Sequence, residues 1–338
     1  MSRIRLGLIG LGRFAEQHLA CLRDLPMYEI AAVCDLDGER SAAVGRELGC
    51  PAYTDWRELL AREPLDAVDV LLPEHLHADP VLAALEAGCH VFVEKPLAIS
   101  SAEAERMIEA AQRAERLLFT GHVCRFDPRY IAVREGAASG AFGRLRTIYA
   151  RRNNGKRYFD LYRRVNPVFI LGIHDIDLMH WLSGSDVEEV YALAPPGAGG
   201  GQDALMAMLK FRDGLTGVIE NNWLLPDHAP ADMDVRMEIV GDEATAQLRE
   251  PDESLVLWNA HAARAPVPAS GAPVYGRAAG PLYAELRHVG ECIIAGRPSP
   301  ILNPGDALRA VAVAEAIAAS AVSGKPERPK LNTKEENR

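Results

Sequence analysis

With 338 residues, 48% of them hydrophobic, and a net charge of −10, the chain has the composition of an ordinary water-soluble protein and is long enough for two domains. The acidic balance argues against nucleic acid or an anionic membrane as the main partner, since both need a basic face. No apolar run reaches bilayer length, the first strand starts within three residues of the N-terminus, and the six cysteines lack C-x-x-C spacing; the expectation is a cytoplasmic protein with no signal peptide, zinc site or disulfide framework.

The first element is an apolar strand, Ile4 to Ile9, running directly into Gly10-Leu11-Gly12-Arg13-Phe14-Ala15. A first glycine allows a sharp turn, a second lets backbone approach a pyrophosphate, and a small third residue lets helix pack on strand. The helix that follows offers backbone N–H groups to phosphate. A glycine-rich turn also serves simply to join strand to helix, so the context has to decide. A second strand, Glu29 to Cys34, ends at Asp35, where a carboxylate accepts both ribose hydroxyls. Gly10, Gly12, Arg13, Phe14 and Asp35 are therefore candidate dinucleotide contacts. The acids Asp35 and Asp37 favour NAD, while nearby Arg40 leaves NADP open.

Further strands are expected at Ala67 to Leu72, His90 to Val93 and Leu117 to Thr120, with helices at Ala78 to Ala87, the former capped by Gly88, and Ser101 to Arg116. That alternation predicts an α/β, doubly wound parallel sheet over residues 1–122. The fourth strand runs into Glu94-Lys95-Pro96, at the carboxyl edge where such sheets bind ligands. Lys95 there could hydrogen-bond a substrate oxygen and stabilise its charge as hydride moves; the plain alternative is a solvated lysine paired with Glu94. Residues 123–323 change character: strands Leu145 to Ala150, Ala204 to Phe211, Leu215 to Glu220 and Val235 to Val240 follow one another, with Asp213-Gly214 and Gly241-Asp242 as turns, predicting an α/β domain on a large, mostly antiparallel open sheet. A long Ala/Pro/Gly-rich loop is expected at 260–280, a helix at Pro304 to Ser323, and a poorly ordered polar tail at 324–338.

On these residues the chain resembles the Gfo/Idh/MocA oxidoreductases. The likeness is carried by the glycine motif, Leu72-Pro73-Glu74-His75-Leu76-His77, Gly88 to Ala98 with its Glu-Lys-Pro element, Arg125-Phe126-Asp127-Pro128, and Gly172 to Leu182 with its His-Asp-Ile-Asp sequence. The resemblance implies a Rossmann domain followed by an open-sheet domain, NAD(P)-dependent chemistry on sugars or cyclitols, and a homodimer or homotetramer packed through that sheet. It adds Leu72, Pro73, His77 and Glu94 to the cofactor contacts, His77 doing so unless it caps the next helix, and sets Lys95 beside His174 as the catalytic pair. The family's usual aspartate four residues before the histidine is Ile170 here, and Glu74 stands where many members have asparagine.

A histidine near its ordinary pKa suits removal of a hydroxyl proton, so His174 is expected to be the acid/base; a buried structural histidine is the alternative. Asp177 is expected to bind a substrate hydroxyl or hold His174, although an acid in a first helical turn, Asp175 equally, is favoured by the helix dipole regardless of chemistry. Arg151-Arg152-Asn153-Asn154-Gly155-Lys156-Arg157 with Arg163-Arg164 forms the densest basic stretch. It either attracts an anionic group on the substrate or is a solvated loop; on the first reading Asn153, Arg157 and Arg163 are substrate contacts, joined by Arg125. His75, His77 and Asp79 lack further ligands, so no metal is expected, and Leu178, Trp181 and Leu182 read as core at helical spacing. Two other functions stay open: a sensor that binds NAD(H) without turnover, and an enzyme whose tightly bound NAD is only transiently reduced.

Overall fold

Short runs rich in Ile, Val, Leu and Ala, mostly buried, form the central strands of the first unit, as expected for a sheet covered on both faces. The computed structural model describes residues 3–197, 201–251, 257–258, 263–264 and 273–331. In chain order its first half runs β1 (Ile4–Ile9), α1 (Arg13–Leu22), β2 (Tyr28–Cys34), α2 (Gly38–Leu48), β3 (Ala52–Tyr53), α3 (Trp56–Arg62), β4 (Ala67–Val70), α4 (Ala78–Glu86), β5 (His90–Val93), α5 (Ser101–Ala114) and β6 (Leu118–Thr120). The six strands pair in parallel in the order β3-β2-β1-β4-β5-β6. Sequential order reverses between β1 and β4, which creates the crevice at the carboxyl ends of the strands. Strand β3 went unforeseen: two residues, neither fully buried, carry no periodicity to read.

The remaining elements are α6 (Pro128–Ala138), β7 (Leu145–Gly155), α7 (Phe159–Tyr162), α8 (Ile173–Ser183), β8 (Val187–Leu193), β9 (Ala204–Phe211), β10 (Thr216–Leu225), β11 (Met233–Gly241), β12 (Thr245–Glu250), β13 (Leu257–Trp258), β14 (Ala263–Arg264), α9 (Pro281–Ala295) and α10 (Pro304–Ser323). A second six-stranded sheet has the order β12-β11-β7-β10-β9-β8. Its pairs are antiparallel except β7 with β10, which run parallel. One face of it is apolar, with Ile148, Ala150, Leu205, Leu209, Ile219, Trp223, Met237 and Ile239 buried in strict alternation with outward residues.

Chain contacts divide the molecule into residues 1–126 with 271–308 and residues 127–270 with 309–338. Helix α9 thus belongs to the first unit: Tyr28 donates to the Leu286 carbonyl at 2.8 Å, and α9 packs on α1. The reading of 260–280 as a loop falls mostly outside the described residues, as does 332–338 of the tail. The rest of the tail corrects the expectation of poor order. Val190 and Glu327 exchange backbone hydrogen bonds of 2.8 and 2.9 Å, so the tail bridges to the middle of β8 at the edge of the sheet.

Candidate functional site

The turn after β1 has the shape the glycines suggested. Gly10 has φ +95°, and a Cβ there would stand 2.8 Å from the Leu71 carbonyl oxygen, so only glycine fits without strain. Gly12 is different: among the described residues nothing lies within 4 Å of where its Cβ would be, which leaves open space before the helix. Helices α2, α3 and α5 begin at Asp37, Asp55 and Ser100, whose side chains accept from first-turn N–H groups, whereas α1 starts at Gly12 with no side-chain cap. An uncapped N-terminus behind a bare glycine is the donor set a pyrophosphate requires. Arg13 and Phe14 are exposed beside it. Asp35 accepts from Leu11 N–H at 2.7 Å and from Asp37 N–H at 2.9 Å, tying the end of β2 to the glycine turn. Arg40 sits 3.4 Å from both Asp35 oxygens. These residues fit a nicotinamide dinucleotide.

At the carboxyl end of β5, Lys95 is half-buried, its peptide bond to Pro96 is cis, and its backbone N–H donates to Glu94 Oε2 at 3.1 Å. His77 does not cap α4: its ring is buried and spans from the Leu72 carbonyl oxygen (2.8 Å) to that of Pro96 (2.9 Å), binding the loop after β4 to the loop after β5. Burial lowers its pKa, against the pull of the two carbonyls. It therefore shapes the crevice wall rather than lying open to a ligand. Leu72 is partly exposed and Pro73 exposed at the same edge, while Glu74 is buried.

Beneath this edge lies a group the sequence reading missed. His18, on α1, is fully buried; Nδ1–H donates to Asp69 Oδ2 on β4 at 2.9 Å, and Nε2 faces Glu94 Oε1 at 3.4 Å. Burial would lower the His18 pKa, but the two carboxylates outweigh it and hold the ring protonated, with a pKa of about 10. The signals were an acid inside the apolar run Val68-Asp69-Val70 and a histidine three residues after Ala15 on the buried side of α1.

In the second unit, His174 is partly exposed near the start of α8, with Asp177 buried one turn later on the same face. A π-helical turn, Val168–Gly172, precedes them. Asp175 is neither free nor a ligand: it is buried and takes a two-pronged contact from Arg152 of β7, at 2.8 Å from Nη2 and 3.2 Å from Nε. Burial raises the Asp175 pKa, and Arg152 opposes that rise. Ile170 packs with Leu171, Trp223, Tyr158, Phe159, Tyr162 and Val165, so the apolar residue has an apolar setting.

The remaining candidates for substrate contact are largely spoken for. Arg125 is buried in the first unit and donates to the Ile301 carbonyl at 2.6 Å and to Asp306 at 2.8 Å, which makes it an internal brace. Asn153 is buried in the sheet, donating to Glu220 at 3.0 Å and accepting from Asn222 N–H. Arg157 pairs with Asp232, and Arg163 lies 3.6 Å from Asp160 on an exposed surface. Within the basic stretch Arg151, Arg152, Arg157 and Arg163 each have an acidic partner, and Arg152 is the buried member. Of the expected helical core, Leu178 and Leu182 are buried and Trp181 is partly exposed.

Residues 4–122 match a family model described as an oxidoreductase family with an NAD-binding Rossmann fold, and residues 130–247 match the GFO/IDH/MocA C-terminal domain. Among curated proteins the chain is 32% identical to a myo-inositol 2-dehydrogenase of Thermotoga maritima, over 71% of this chain and 73% of the relative. It is 30% identical to a D-apiose dehydrogenase of Paraburkholderia graminis, over 96% of this chain and 89% of the relative. A solved scyllo-inositol dehydrogenase of Lactobacillus casei, with NAD(H) and scyllo-inositol bound, superposes with a TM-score of 0.83 at 18% identity, covering 97% of this chain and 99% of that one. At that identity the likeness speaks for the fold.

Proposed function

Because the chain belongs to the Gfo/Idh/MocA oxidoreductases, whose NAD-binding domain matches its residues 4–122, we propose that it oxidises a secondary hydroxyl of an uncharged cyclitol or sugar, or reduces the corresponding carbonyl. NAD, when bound, supplies the hydride acceptor. Gly10 and Gly12 shape the pyrophosphate turn and Asp35 takes the ribose hydroxyls, with Arg13, Phe14, Leu72, Pro73 and Glu94 along the same edge. Lys95 donates to the reacting oxygen and lends it positive charge; His174 takes its proton, and Asp177 holds a neighbouring hydroxyl or the histidine. The observation that carries the cofactor half is the pairing of an uncapped α1 with the open space at Gly12. The uncharged substrate class is supported by the ion pairs that occupy Arg157 and Arg163 and by the cyclitol and sugar dehydrogenases among the relatives.

Among the described residues, the six cysteines form no disulfide, which suits a reducing cytoplasm, and no helix is long and apolar enough to cross a membrane. The outward face of the second sheet is proposed to pair subunits, because Tyr191, Leu193, Met206 and Met208 stand exposed there on adjacent strands. The test is NADH formation at 340 nm across inositols, free aldoses and their phosphates, with NAD and NADP in parallel. Turnover of an uncharged polyol with NAD, lost by about 10²-fold or more in Lys95→Ala and His174→Ala, is expected. Undiminished turnover in both variants, or turnover of sugar phosphates alone, would overturn the assignment.

A further inference from the structure

The Glu94-Lys95 corner has a support that neither the glycine motif nor the Glu-Lys-Pro element announces. His18 is wholly buried one and a half turns into the helix that follows the dinucleotide turn. It meets two carboxylates from two different strands, Asp69 at 2.9 Å on β4 and Glu94 at 3.4 Å at the end of β5. The rings of Phe14, on its own helix, and Phe92, on β5, flank it with centroids 5.6 and 5.7 Å away and shut out water. Glu94 divides its two oxygens: Oε1 faces His18, and Oε2 accepts the backbone N–H of Lys95. The carboxylate is also confined from the far side, since a Cβ on Gly121 would stand 2.7 Å from Glu94 Oε1. A cation between two buried acids is costly unless each contact is kept, so it fixes what it touches.

We propose that His18 is a positioning residue: by fixing the Glu94 carboxylate, it holds the Lys95 backbone N–H and with it the direction in which the Lys95 side chain leaves the sheet. The histidine makes no contact with a reacting atom in this scheme. Its effect on turnover rests on the role given to Lys95 above, but its effect on the lysine does not.

The test reads the lysine directly. The chain has six lysines, so reductive ¹³C-methylation of the apo protein gives a spectrum simple enough to assign, with the Lys95 signal identified by its loss in Lys95→Arg. Two double variants are compared, both free of an unpaired buried aspartate. His18→Gln/Asp69→Asn keeps a donor toward Glu94; His18→Leu/Asp69→Asn does not. The Lys95 signal is expected at its native position in the first and displaced in the second. An identical Lys95 signal in the two doubles would overturn the proposal. Should either fail to fold, Glu94→Ala, which removes the acceptor of the Lys95 N–H, is read instead, and a Lys95 signal at its native place there overturns it equally. With a substrate in hand, the Leu/Asn double is expected to lose about 10- to 100-fold in kcat relative to the Gln/Asn double, with the NADH dissociation constant within about threefold. A displaced lysine signal with unchanged kcat leaves the positioning intact and refutes the catalytic role of Lys95.

Discussion

Two glycines two residues apart do different physical work, and the difference can be measured. Gly10 holds a left-handed backbone against the Leu71 carbonyl, so Gly10→Ala is expected to cost roughly 1–3 kcal/mol of stability, read as a lowered urea midpoint of the apo protein. Gly12 adopts an ordinary extended conformation before empty space, so Gly12→Ala is expected to cost less than about 1 kcal/mol. Its methyl group would instead enter the volume assigned to the pyrophosphate, and NADH affinity, followed by nicotinamide fluorescence, should fall by about tenfold or more while the urea midpoint barely moves. Equal NADH affinity in Gly12→Ala and the native protein would remove the phosphate site from this turn. Both glycines were legible in the sequence because the motif is local. His18 was not, because its partners lie 51 and 76 residues further along the chain, beyond any local pattern.

At the scale of elements, α8 carries the proposed acid/base, and a buried ion pair, Arg152 to Asp175, fastens its first turn to the sheet. Removing one partner of such a pair strands the other charge without water; removing both is far cheaper. Asp175→Ala is accordingly expected to destabilise by about 3–5 kcal/mol, and Arg152→Met/Asp175→Leu to recover most of that loss in the same denaturant titration. Additive losses in the double variant would show that the pair carries no coupling. The sequence indicated a helix here and a basic stretch before it, yet treated Asp175 as a dipole residue and Arg152 as one charge among many. Only the register of β7 beneath α8, set by pairing with β10 and β11, selects that arginine for burial. The same applies to Arg125, whose partners Ile301 and Asp306 lie more than 170 residues away. Strands and helices with clean periodicity were readable; pairings between distant side chains were not.

Over the whole molecule, the second sheet is half-finished as a surface. Its inner face is buried, but its outer face sets Tyr191 opposite Met208 and Leu193 opposite Met206 across the β8–β9 pair, all four exposed. Contiguous apolar side chains of this kind are uncommon on a monomer, and they fall on the outer face of an open sheet rather than on a loop. The bridge between the tail at Glu327 and Val190 occupies the middle of the β8 edge, which favours a partner met by side chains, face to face, over strand addition. A face-packed symmetric association places the same patch on both subunits, so a charge inserted at its centre is repeated across the interface and repels itself. Light scattering coupled to size exclusion is expected to give a dimer or tetramer for the native chain and monomers for Met206→Glu/Met208→Glu, at unchanged far-ultraviolet circular dichroism. A native monomer at micromolar concentration would refute the assembly, and an intact oligomer in the doubly charged variant would move the interface off this face.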